Sequence, residues 1–131
     1  MIETGITAAA KVLFLESVVN DTCKLALYDG NAALGVDTPV YTTEHEVVGE
    51  GYTAGGVQLV NASVGVDDNG AAFLTWDSTE WPRSTITAAG YMIYDVSKDN
   101  AALFVGSWGS NYTSTNGPFK VNIPDKQILL V

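Results

Sequence analysis

At 131 residues the chain suits one domain, which at this size buries roughly two-thirds of the surface its unfolded form exposes. Hydrophobic residues make up 47% of it and charged residues only 16%, a balance that excludes a disordered chain. Fifteen Asp and Glu against six Lys and Arg leave a net charge of −9, which repels phosphate backbones and argues against nucleic acid as a partner.

The opening Met-Ile-Glu-Thr-Gly carries no basic segment, and the apolar run at 12–15 is far too short to span a bilayer, so no membrane partner is expected. Ile6, Ala9, Ala10, Leu13, Phe14 and Val18 recur near helical spacing, which predicts one helix over 6–19 with Thr4 or Thr7 capping its start. Asn20 and Asp21 break that pattern. Cys23-Lys-Leu-Ala-Leu-Tyr28 then alternates as a strand and ends at Asp29-Gly30.

Pro39 introduces a polar strand over 40–48, followed by a glycine-rich loop over 49–56 that reads as turn geometry, since no Lys-Ser/Thr pair and no helix follow it. Residues 57–66 and 71–76 form strands joined by the turn Asp67-Asp-Asn-Gly70. An irregular connection over 77–83 leads to strands on either side of Ser97-Lys-Asp-Asn100. A polar loop over 110–117 and short strands over 119–123 and 127–131 close the chain. About eight short strands after one helix predict a mainly β fold, a single β-sandwich or jelly-roll-like domain over 1–131.

Catalytic and metal chemistry find little footing. Cys23 is the single cysteine, so no intrachain disulfide forms, and its place at the start of an apolar strand predicts a buried structural thiol. His45 is the single imidazole and lies between Glu44 and Glu46, which should favour its charged form on a solvated strand. Four Cys or His ligands for zinc are lacking, and Asp67, Asp68 and Asn69 suit a hairpin turn better than a calcium loop. Asp77 and Glu80 beside Trp76 and Trp81 leave open a sugar-binding reading. The residues imply no cofactor, no metal and no catalytic group.

The strands around 85–108 are the most informative segment, because both faces are apolar. Ile86, Met92, Tyr94 and Val96 point one way, and Tyr91 and Ile93 the other. One core accounts for one face; the second needs the N-terminal helix, another sheet or another subunit. Tyr91, Ile93, Phe104 and Trp108 are therefore candidates either for a subunit interface or for the chain's own core.

Several segments, in order, resemble a family of small tailed-bacteriophage virion proteins. They are Lys24-Leu-Ala-Leu-Tyr28; Tyr41-Thr-Thr43 with Glu46-Val47; Gly49-Glu-Gly-Tyr-Thr-Ala-Gly-Gly56; the stretch from Trp76 to Trp81; Ile86-Thr-Ala-Ala-Gly-Tyr-Met-Ile-Tyr94; and Ser114-Thr-Asn-Gly117 before Phe119. The resemblance spans residues 12–131 and implies a non-enzymatic capsid decoration or cement protein, a β-rich trimer on the outer surface of the virion. Its partners would be the major capsid protein and further copies of itself. The family pattern supplies no catalytic residue. A tail or head-fibre component and a carbohydrate-binding module stacking sugars on Trp76, Trp81 or Trp108 stand as the alternatives.

Overall fold

A computed structural model describes residues 1–131. In chain order the elements are α1 (Ala8–Val19), β1 (Cys23–Tyr28), β2 (Val57–Gln58), β3 (Ser63–Val66), β4 (Ala72–Thr75), β5 (Thr79–Asp95), β6 (Ala101–Val121) and β7 (Ile128–Leu130), with a 3-10 turn at Val96–Lys98. The protein is thus mainly β, with one N-terminal helix and two antiparallel sheets, the expected class of fold. Two compact units are distinguished. One comprises Met1–Asp21, Val60–Asp77 and Ile123–Val131, the other Thr22–Leu59 and Ser78–Asn122.

In the first unit α1 packs on β3 and β4 of a sheet ordered β3-β4-β7. Thr7 caps the helix, its hydroxyl accepting from the Ala10 amide at 3.1 Å, which satisfies one of the amide groups a helix start leaves unpaired. The β3–β4 hairpin turns where the acidic cluster predicts. Asp67 Oδ1 accepts from the Asn69 and Ala71 amides at 2.9 and 3.0 Å, and Lys126 Nζ lies 3.4 Å from Oδ2. The Ala71 amide, followed by those of Asn69 and by Lys126, holds the Asp67 carboxyl below the usual carboxylate range. Ala72 and Leu74 are fully buried, while Phe73 turns to the other face under Lys126, whose Nζ is 5.8 Å from the ring centroid.

The second unit holds the sheet β2-β1-β5-β6, dominated by the long β5–β6 ribbon. Its turn uses residues that tolerate left-handed backbone: Asp99 and Asn100 sit at φ 55° and 61°, and Asp95 Oδ1 accepts from the Ser97 amide at 2.9 Å. Both faces of the paired β1 and β5 are buried, as their apolar residues predict. Ala26, Tyr28, Met92 and Tyr94 form one cluster, covered by Ala32, Leu34 and Tyr41 from the loop after β1; Leu25, Leu27 and Ile93 are buried on the other face. Val96 leaves the strand and is exposed.

Four local expectations fail, each because a distant partner or a local hydrogen bond outweighs propensity. Residues 40–48 form no strand, only single bridges from Val40 to Ala101 and from Glu46 to Tyr28. There the Glu44 amide donates to Thr42 Oγ1, the Glu46 amide to the Thr43 carbonyl, and His45 adopts φ 62°, so the backbone turns instead of extending. Residues 57–66 divide at Asn61, whose φ of 58° breaks the extended run. The expected connection at 77–83 is strand from Thr79 onward because Trp81 pairs with Phe119, and Pro82 occupies a register shift where its missing N–H costs no ladder bond. The expected polar loop at 110–117 is also strand, laced to β5 by Ser84 and Ser114 hydroxyls 2.7 Å apart and Thr87 and Thr113 hydroxyls 2.9 Å apart. Merging these segments leaves seven strands, two of them long.

Candidate functional site

The four residues singled out on the ribbon separate in the structure. Ile93 is 0% exposed and belongs to the chain's own core, so it offers no surface to a partner. Tyr91, Phe104 and Trp108 come together as a half-buried aromatic row: the Tyr91 ring stacks on Phe104 at 6.0 Å between centroids and lies 5.3 Å from Trp108. Room for Tyr91 comes from Gly106, where any Cβ would meet the tyrosine ring.

The row continues beyond the predicted residues. Trp108 meets Tyr112 edge-on at 6.0 Å and Phe119 at 6.0 Å; Phe119 meets Trp81 at 6.3 Å, and Trp81 meets Tyr52 at 5.5 Å. Trp81 and Phe119 are each 6% exposed, whereas Tyr112 at the open end is 53% exposed. A rigid ladder of rings therefore runs from the core to the surface, with offset and edge-on geometries that favour aromatic pairs. Its outer members present large apolar area at small conformational cost, the chemistry of a contact surface.

Beside this row lies a buried carboxylate that the sequence does not announce. Glu46 was expected on a wet strand face; it is 8% exposed instead. Oε1 accepts from the Tyr41 hydroxyl at 2.5 Å, and Oε2 accepts from the Tyr52 hydroxyl at 2.5 Å and from the Gly55 amide at 2.8 Å. The Tyr52 oxygen in turn accepts from the Leu27 amide at 3.0 Å, and the Tyr94 hydroxyl donates to the Gly55 carbonyl at 2.6 Å. These bonds fasten the glycine-rich loop to β1. The loop has the turn geometry expected of it, with Gly51, Gly55 and Gly56 at φ 82°, 100° and 80°. A sequence signal for the network would have to connect Glu46 with Tyr41 and Tyr52, positions whose spacing matches no regular period.

Burial first, and then the Glu46 carboxylate close by, push the hydroxyls of Tyr28, Tyr41, Tyr52 and Tyr94 above the ordinary tyrosine range. The folded protein holds these protons more tightly than the unfolded chain does. Stability should therefore be intact below about pH 10 and fall as pH rises beyond it, by up to ~1.4 kcal/mol per pH unit for each fully coupled tyrosine. Urea midpoints measured from about pH 8 to 11.5 check this; a midpoint unchanged across that range would contradict it.

The remaining candidates take ordinary places. Cys23 is buried in β1, as expected. His45 faces Asp29, with Nδ1 3.6 Å from Oδ1 and about 42% of its side chain exposed, and not a glutamate pair, because Glu46 turns inward. Asp77 and Glu80 fall in different units. Trp76 and Trp81 are buried, which removes the stacking faces that a sugar would need, while Trp108 keeps part of its ring accessible. No helix is long and apolar enough to cross a membrane. Set against protein-family models, curated proteins and solved structures, the chain matches none of them.

Proposed function

We propose that this chain is a non-enzymatic capsid decoration (cement) protein of a tailed bacteriophage, trimeric, located on the outer shell and stabilising contacts between neighbouring subunits of the major capsid protein. One observation carries the reading. In a chain of net charge −9, residues 101–117 of β6 contain no charged side chain at all, and they carry the outer rings of the aromatic row. Like-charged copies repel least where charge is absent, and buried aromatic anchors commonly dominate interface energetics. β6 is also the edge of its sheet, and such edges are usually protected by charges when a protein stays monomeric. Repeated copies of one modest contact give a symmetric clamp avidity without new chemistry. The acidic remainder of the surface suits basic patches on a shell and disfavours packaged DNA.

Light scattering on the purified protein, with heating of shells assembled from the capsid protein of the same genome, tests this. The expected result is a trimer that raises the melting temperature of expanded shells, since a ligand specific to the assembled state stabilises it. Trp108→Ala should weaken self-association by about thirtyfold, as loss of a hot-spot ring does. Tyr112→Ser, at the most exposed ring of the row, should weaken it with the urea midpoint unchanged. A strict monomer that leaves shell melting unaltered would overturn the proposal.

A further inference from the structure

The face of the ribbon opposite the aromatic row carries a second feature. Ala88 pairs with Tyr112 and Gly90 with Ser107, so residues 108–111 of β6 stand against Ala89 alone. A bulge of this size re-aims side chains, and bulges concentrate beside functional sites. Here it brings Ser110 and Asn111 beside the loop that follows β1, enclosing a groove of about 600 Å³. Asn111 Oδ1 lies 3.5 Å from the point where a Cβ on Gly30 would stand. Ala32, Leu34 and Val105, which pack on the Tyr28 and Met92 cluster, supply apolar lining. Asp29, Ser107, Ser110 and Asn111 add a carboxylate, two hydroxyls and an amide.

We propose that this groove binds a neutral saccharide. No lysine or arginine lines it, and Asp29 with a net charge of −9 repels phosphates and other anions. A cation would find one carboxylate, already accepting from the Asn31 amide at 2.8 Å and facing His45. A pyranose fits both halves of the lining: its hydroxyls exchange hydrogen bonds with acid, amide and hydroxyl groups, and its C–H face rests on the apolar side chains. The volume lies within the usual range for small-molecule sites, about 300–1,000 Å³. This site is separate from the Trp108 platform and does not depend on the capsid reading.

Amide chemical-shift titration of the full chain tests the assignment, with glucose, galactose, mannose, N-acetylglucosamine, maltotriose and chitotriose as probes. Saturable shifts at millimolar concentration for at least one probe are expected, confined to residues 28–34, 89, 90 and 105–111. Asn111→Ala, at an exposed position, should weaken them about tenfold with an unchanged urea midpoint. Gly30→Leu should abolish them by filling the groove, since no atom lies within 3.5 Å of the new Cβ to disturb the fold. Absence of saturable shifts with all six probes would overturn the proposal. So would shifts centred on Trp108, Tyr112 and Phe119 that survive Asn111→Ala.

Discussion

Gly56→Ala should lower the stability of the protein by about 3–5 kcal/mol, a large part of the total for a domain of this size. Gly56 sits at φ 80°, where an L side chain costs about 1–2 kcal/mol, and its added Cβ would collide with the Leu25 carbonyl oxygen in the middle of β1. That obstacle is backbone in a central strand and has no rotamer to escape into. Relief requires the loop to lift from β1, loosening the Gly55 contacts to Glu46 and Tyr94. Gly70→Ala separates the two contributions. Gly70 has nearly the same φ, 78°, but nothing within 4 Å of its added Cβ, so the cost there should be only the conformational ~1–2 kcal/mol. Urea midpoints of the two variants measure the difference; equal losses would show that the close approach to Leu25 is unimportant.

Glu46→Ala should cost about 3–4 kcal/mol, because it strands three donors at once: the Tyr41 and Tyr52 hydroxyls and the Gly55 amide. Hydrogen bonds to a charged group contribute more than neutral ones, and donors left buried without an acceptor add their desolvation cost. Glu46→Gln preserves shape but turns an NH₂ group toward donors, so an intermediate loss of about 1–2 kcal/mol is expected. Tyr41→Phe and Tyr52→Phe should each cost less than Glu46→Ala, and their losses should not add, because both act through one carboxylate. Denaturation of the set would contradict the network if Glu46→Ala matched a surface substitution, within about 0.5 kcal/mol of the parent.

The two variants act at the same place, the seam between the 40–56 segment and β1, and that seam is where reading the chain by period fails. Thr42, Thr43, Glu44 and Glu46 look like a wet strand because nothing nearby marks Glu46 as inward-facing. Its partners Tyr41, Tyr52 and Gly55 converge only once the segment has looped back over β1. The candidate surface divides in the same way. Tyr91, Phe104 and Trp108 are conspicuous as aromatic residues on one strand pair, and they do form one row. Ile93 shares their face in simple alternation and, like Tyr91, pairs with β1, yet it is fully buried while Tyr91 is only half-buried, a difference that alternation does not encode.

What the amino-acid sequence determined by itself is a set of features governed by neighbours in the chain. The helix with a threonine cap at its start, the full extent of β1, the Asp67 to Gly70 turn and the turn after Asp95 each depend on a few adjacent residues. The tertiary structure alone decided the extension of the 85–108 hairpin into one ribbon of 79–95 and 101–121, the division of 57–66 at Asn61, the bulge at 108–111 and the inward turn of Glu46. The ribbon rests on pairs separated by long stretches of chain, such as Trp81 with Phe119 and Ser84 with Ser114, and the turn of Glu46 on partners 5, 6 and 9 residues away that no regular period brings together. The energy of such a pair depends on distance in space, which the local pattern of a strand or loop does not encode.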